Sequence, residues 1–164
     1  AGCIAPNWIP FTPNRLVSPA ELVAELLVDP LVTGLTFSGG EPMAQAAGLA
    51  QVAHLARQRR EVDIICFSGF TLEKLRSAPP YPGVAELLAQ IDILIDGPYI
   101  ANRNDNRGLR GSSNQRMHYL SNRLAGVELD SIPRRAEVLV REGHLMMVGV
   151  PPMGLLDSLE AKPR

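Results

Sequence analysis

The sequence predicts an α/β fold built on a parallel sheet, and three observations predict it. Short apolar runs of strand length, at residues 32–37, 62–67 and 91–95, alternate with segments of helical periodicity. Each run ends on residues suited to a turn or a ligand: Ser38-Gly39-Gly40, Ser68-Gly69 and Asp96. Alternation of this kind makes βαβ units, whose right-handed crossovers curl a sheet into a barrel or a doubly wound layer.

The elements follow in order. Residues 4–16 form an irregular lead-in marked by Pro6, Pro10 and Pro13, with Trp8 and Phe11 available to pin it to the body. Ser18-Pro19-Ala20-Glu21 has the form of a helix start, since serine caps, proline suits the first turn, and a glutamate three residues on completes a capping box. Leu22, Val23, Leu26 and Leu27 supply that helix's apolar face, and Asp29-Pro30 stops it. Residues 43–59 read as a second helix with Leu49, Val52, Ala53 and Ala56 on one face. A short helix starts from Thr71, Pro79-Pro80-Tyr81-Pro82-Gly83 is a loop, and residues 84–90 are helical before the third strand.

After Asp96 the pattern changes. Residues 97–115 are polar and rich in Asn, Arg and Gly, and a segment of this length in a compact domain is expected to be functional or disordered. Residues 137–140 and 145–148 flank Arg141-Glu142-Gly143-His144 as a β-hairpin. The tail from Leu155 is polar and expected to fray, which leaves residues 1–154 as a single domain.

Composition excludes several classes. The chain has 164 residues, 46% of them hydrophobic, enough for a real core. With 16 basic and 17 acidic residues it lacks the cationic excess of a nucleic-acid-coating surface. The cluster Arg57, Arg59 and Arg60 falls where a helix ends, and cations there complement the helix dipole. No apolar run approaches the roughly 20 residues of a membrane span, and no secretory signal is evident. Two cysteines, Cys3 and Cys66, make no disulfide framework, so a reducing cytoplasm is expected.

Ligands of parallel α/β folds bind at the carboxyl ends of strands, so Gly39-Gly40-Glu41, Ser68-Gly69 and Asp96 are expected to converge on one site. Glycines there let backbone N–H groups approach a ligand, and Glu41 and Asp96 supply negative charge suited to an ammonium group or a cation. Each has a plainer reading beside it, a tight turn for the glycines and a helix cap for the aspartate. Cys66 lies within a strand and reads as a small core hydrophobe, while His54 and His144 receive no role.

Thr36-Phe37-Ser38-Gly39-Gly40-Glu41-Pro42 resembles the "SGGEP" motif of radical S-adenosylmethionine proteins. Residues 91–100 are similar to the "DVLVDGPF" segment of anaerobic ribonucleotide reductase activating enzymes. Arg110-Gly111-Ser112-Ser113-Asn114-Gln115-Arg116 matches their "RGSSNQR", and Cys66-Phe67-Ser68-Gly69-Phe70-Thr71 resembles their "WTGYT" element. The matches keep their order over roughly residues 1–120.

The resemblance implies a partial β/α barrel of the radical S-adenosylmethionine type, its first strand missing, with a C-terminal β-hairpin. It implies a 4Fe-4S cluster on three thiolates and S-adenosylmethionine bound by Ser38, Gly39, Gly40, Glu41, Pro42, Ser68, Asp96, Arg110 and Asn114. The implied activity is reductive cleavage of the cofactor to generate a glycyl radical on a partner enzyme, such as anaerobic ribonucleotide reductase, with electrons from a flavodoxin or ferredoxin. A small-molecule radical enzyme and a cluster-free binding module are the alternatives. The Arg110–Arg116 stretch suits either a ligand contact or a self-contained hydrogen-bonded loop.

One departure stands out. Of the family's Cys-x3-Cys-x2-Cys only Cys3 is present, as a single candidate metal ligand. Because the chain begins with Ala and its third residue is that cysteine, the other two cysteines and the first strand are expected upstream of Ala1. The chain as given is expected not to hold a stable three-thiolate cluster and to be inactive alone.

Overall fold

The computed structural model describes residues 15–134, 136–141, 144–149, 151, 152, 154 and 155. The expectations placed on the lead-in loop, on Cys3 and on most of the tail lie outside these residues.

Helix α1, Pro19–Leu26, begins on the expected capping box: Ser18 Oγ accepts from the Glu21 N–H at 3.3 Å, and Glu21 Oε2 accepts from the Ser18 N–H at 3.0 Å. Its apolar stripe is narrower than the sequence suggests, because Val23 and Leu27 are buried while Leu26 is exposed. Arg60 donates to the Leu27 and Asp29 carbonyls at 2.7 and 2.9 Å, satisfying acceptors freed where Asp29-Pro30 ends the helix. Arg57 likewise turns inward, to Asp92, so two members of the basic cluster have internal partners.

Strands β1 (Gly34–Phe37), β2 (Asp63–Ser68) and β3 (Ile93–Asp96) are parallel, and β4 (Arg116–Tyr119) joins β3 antiparallel. The spatial order β1-β2-β3-β4 follows the chain without reversal. Sequential addition is how barrels wind, whereas a doubly wound sheet reverses order at a switch point. The result is a mixed α/β sheet, and among the described residues it does not close into a barrel. Strands β5 (Ala136–Arg141) and β6 (His144–Gly149) make the expected hairpin as a separate two-stranded sheet.

Between β1 and β2 lie a 3-10 turn, Pro42–Gln45, and helix α2, Ala46–Arg59; α3 (Leu72–Ser77) and α4 (Val84–Leu88) connect β2 to β3. One sheet face, carrying Leu35, Phe37, Ile64, Cys66 and Leu94, shares a core with all four helices. Ala46, Ala50, Ala53 and Ala56 are buried on α2, and small side chains there let neighbouring backbones come close. Gly83 marks the closest approach: at φ +82° a Cβ would sit 2.5 Å from the Ala47 backbone. Strand β3 is buried at all four positions, which is why it reads as a continuous apolar run.

The polar stretch 97–115 is ordered. It leaves the sheet at Asp96 and returns at Arg116, which are direct cross-strand partners. A 3-10 turn, Ala101–Arg103, and a set of side-chain-to-backbone bonds fill the interval.

Candidate functional site at the carboxyl ends of the strands

The turn after β1 leaves Ser38, Gly39 and Gly40 exposed, with Gly39 at φ +103°, a conformation that side chains disfavour. Pro42, by contrast, is buried in the first position of the 3-10 turn. Glu41 caps that turn, its Oε1 accepting from the Met43 N–H at 3.1 Å. The same oxygen accepts from the Ser68 hydroxyl at 2.9 Å, and Oε2 accepts from the Gly69 N–H at 2.8 Å. One half-buried carboxylate thus ties the end of β1 to the end of β2. Three donors occupy three of its roughly four acceptor positions, leaving room on Oε2 for one more. A Cβ on Gly69 would lie 3.3 Å from that oxygen, so glycine keeps the approach open.

Asp96 is the in-register neighbour of Ser68 but points its carboxylate elsewhere. Oδ2 accepts from the Leu72 N–H at 2.6 Å, in the first turn of α3, and from Arg116 Nη2 at 2.9 Å, while Oδ1 accepts from Arg116 Nε at 3.3 Å. His118 Nε2 lies 3.0 Å from Oδ2 as a further close neighbour of the carboxylate. Burial works to raise the Asp96 pKa, but the bonds from Arg116 and Leu72 N–H, with His118 beside them, outweigh it and hold the carboxyl below its usual range. Arg116 also pairs with Glu73 at 2.6 Å and holds that exposed carboxyl at about 2. Asp96 therefore joins α3, β3 and β4, and both its oxygens are engaged.

Arg110 and Asn114 lie one turn further on. Arg110 pairs with Asp105 at 2.8 Å and Asp130 at 3.0 Å, and Asn114 Nδ2 donates to the Pro98 carbonyl at 2.7 Å. The Asn114 Oδ1 is buried without a protein partner. The loop is centred on Gln115: Oε1 accepts from the Gly111 and Ser112 N–H groups at 2.8 and 3.2 Å, and Nε2 donates to the Gly97 carbonyl at 2.9 Å. Gly97 N–H donates in turn to the Phe70 carbonyl at 3.2 Å, beside Gly69. A chain of hydrogen bonds therefore runs from Glu41 through the 68–70 turn and Gly97 to Gln115.

The structure thus brings Ser38, Gly39, Gly40, Glu41, Pro42 and Ser68 together at one rim, with Asp96 adjacent but turned away. Asn114, through the Pro98 carbonyl, and Gln115, through the Gly97 carbonyl, link the loop to the segment after Asp96, while the Arg110 side chain pairs with Asp105 and Asp130 instead. Gln115 and Arg116, read from the sequence only as members of the Arg110–Arg116 motif, and His118 and the buried Arg134 are the residues that sequence reasoning did not assign to the site individually. A signal existed for one of them, since Arg116 closes a motif whose other matched segment contains Asp96. Two open clefts lie elsewhere, one of about 620 Å³ beside Tyr119, Ser121 and Val127, the other of about 540 Å³ between α2 and α4 around His54.

Glycine and carboxylate turns at the carboxyl ends of parallel strands occupy the position at which α/β domains of this class bind ligands. Residues 1–118 match the family model of the 4Fe-4S single cluster domain, and the chain belongs to that family. Comparison with curated proteins and with solved structures gives no match.

The described residues do not themselves fit a cluster. No group of three His, Cys, Asp or Glu is placed to hold a metal ion among them. Cys66 is sealed in the core, where burial first, and then the charge of Glu41, push its thiol pKa well up and disfavour the thiolate that iron requires. Cys3, the other cysteine, lies outside the described residues.

Proposed function

We propose that this protein is a radical S-adenosylmethionine activating enzyme with a partial β/α barrel, of the type that generates a glycyl radical on a partner such as anaerobic ribonucleotide reductase. One observation carries the reading: in a member of the 4Fe-4S single cluster family, a Gly-Gly-Glu-Pro turn at the end of β1 presents an exposed backbone and a half-buried carboxylate with a free acceptor position. Such a rim suits an ammonium group, as on the methionine moiety of S-adenosylmethionine.

Glu41, oriented by Ser68 and Gly69, would receive that ammonium group, and the open Ser38-Gly39-Gly40 backbone would lie along the ligand. The 4Fe-4S group supplies one-electron chemistry when bound. Cys3 is the one thiolate this sequence offers it, and the reading requires further thiolates in the full-length protein. A flavodoxin or ferredoxin in the cytoplasm would provide the electron.

The test is anaerobic reconstitution of the full-length protein with iron and sulfide, then reduction with S-adenosylmethionine present. Formation of 5′-deoxyadenosine is expected, and absence of both cluster and cleavage would sink the enzymatic reading. A glycine-centred radical signal on the partner enzyme separates an activase from an enzyme acting on a small molecule. A second reading, a cluster-free binding module, draws on the sealed Cys66 and on the described residues, among which no group of three His, Cys, Asp or Glu is placed to hold a metal ion. It predicts S-adenosylmethionine binding with no iron–sulfur absorbance after reconstitution.

A further inference from the structure

The family match ends at residue 118, yet a residue beyond it holds the loop at the rim. Arg134 is 7% exposed and donates to three neutral oxygens: Asn104 Oδ1 at 2.8 Å, the Arg110 carbonyl at 2.7 Å and the Gly111 carbonyl at 3.1 Å. Burying a guanidinium is costly, and burial lowers the Arg134 pKa. An apolar side chain would fill this volume at less cost, so what the guanidinium contributes is geometry: a rigid planar fork that receives several acceptors in a fixed arrangement.

That geometry acts on two consecutive peptide planes. In a planar trans peptide the C=O and the following N–H point in opposite directions. The Arg110 carbonyl faces Arg134, while the Gly111 N–H faces Gln115 Oε1. The Gly111 carbonyl also faces Arg134, while the Ser112 N–H faces the same Gln115 oxygen. Rotating either plane breaks a bond on each side. Gly111 permits the clamp, because a Cβ there would lie 2.9 Å from the Tyr99 ring. The segment that delivers Arg134 is itself laced to the loop, by Gly108 N–H to the Ile132 carbonyl at 3.0 Å and by Arg110 to Asp130. Gln115 passes the constraint on to Gly97 and so to the strand ends.

We propose that Arg134 is a positioning residue of the candidate site: opposite Gln115, it fixes the two peptide planes on either side of Gly111 and with them the face that the Arg110–Asn114 turn presents to a bound small ligand. The identity of that ligand as S-adenosylmethionine rests on the proposed function. The clamp itself does not.

The experiment compares Arg134→Met and Arg134→Lys with the parent in the reconstituted full-length protein. It reads S-adenosylmethionine Kd by titration and amide hydrogen exchange by residue. Arg134→Met should weaken binding by about tenfold, the scale of lost hydrogen bonds to a charged group. It should also strip protection from the Gly111, Ser112 and Gln115 amides while leaving those of Ile64 and Leu94 intact. Arg134→Lys, with charge but no fork, should recover less than half of the effect. Asn104→Ala, which removes one acceptor from outside the clamp, should give the same pattern more weakly. A merely structural arginine would lower the denaturation midpoint and leave the Kd of the folded protein unchanged, and that result overturns the proposal. If the parent fails to bind S-adenosylmethionine, the functional reading fails, while unaltered exchange at Gly111 and Ser112 in Arg134→Met would separately overturn the clamp.

Discussion

Strand β3 has a buried aspartate at each end, and the two make an instructive pair. Asp92, just before the strand, accepts from the Ile64 N–H and from Arg57, both at 2.7 Å, and from the Ser121 hydroxyl. Its backbone also bonds to Ile64 and Leu120 at 2.8 Å each. Asp96, the last residue, is as deeply buried at 1% exposure, but its main partner Arg116 is half exposed and shared with the surface residue Glu73. Burial does not distinguish the two carboxylates. The exposure of the partner does: the Arg57 side chain is 21% exposed and that of Arg116 50%. The base of the sheet is stitched inward, and the rim keeps charge within reach of a ligand or another protein.

The comparison can be broken first at the base. Asp92→Ala leaves Arg57, the Ile64 N–H and the Ser121 hydroxyl without their acceptor, and should cost about 3–5 kcal/mol in urea unfolding. A loss below that of any rim variant would contradict the contrast drawn here. Asp96→Asn keeps the shape and weakens the bonds to Leu72 and Arg116, for an expected loss of about 1–2 kcal/mol.

The pH dependence sharpens the second prediction. A carboxyl depressed on folding contributes stability above its unfolded pKa of about 3.9, and that contribution disappears as pH falls through the lower folded value. Asp96→Asn should therefore narrow the gap to the parent protein below about pH 4, and a constant gap down to acid unfolding would exclude the linkage.

Glu41→Ala removes the tie between β1 and β2 at a half-buried position, with an expected stability loss of about 1 kcal/mol. Its larger effect should fall on ligand titration, and unchanged S-adenosylmethionine affinity would count against the role assigned to Glu41. Smallest of all, Glu73→Gln removes an exposed pair and should leave the denaturation midpoint unmoved, since such pairs contribute little.

Local chemistry made much of this fold legible. The Ser18–Glu21 capping box, the Thr71 cap and the apolar runs of β1 to β3 are contiguous signals, and each appears where the residues put it. Strand β4 is short and polar on one face, with Arg116 and His118 both drawn to Asp96, so its alternation is hidden by residues that look like loop. The Arg57–Asp92 pair spans 35 positions, and no local pattern announces it. The strand-end turns of the candidate site were legible, and Glu41 and Ser68 do meet there. The inward engagement of Asp96 and the organising roles of Gln115 and Arg134 were not, because they depend on which backbone groups a side chain finds once the chain has closed on itself.

The return of β4 beside β3 has one more consequence. Asp96 and Arg116 are neighbours across the ladder, so the intervening segment begins and ends at nearly the same point in space. Lengthening such a segment adds only about 0.6 kcal/mol for each doubling, and the strands that hold its ends need not shift. Closure of the sheet therefore sets little constraint on the length of this segment; what holds its conformation is its own hydrogen bonds to Gln115 and Arg134.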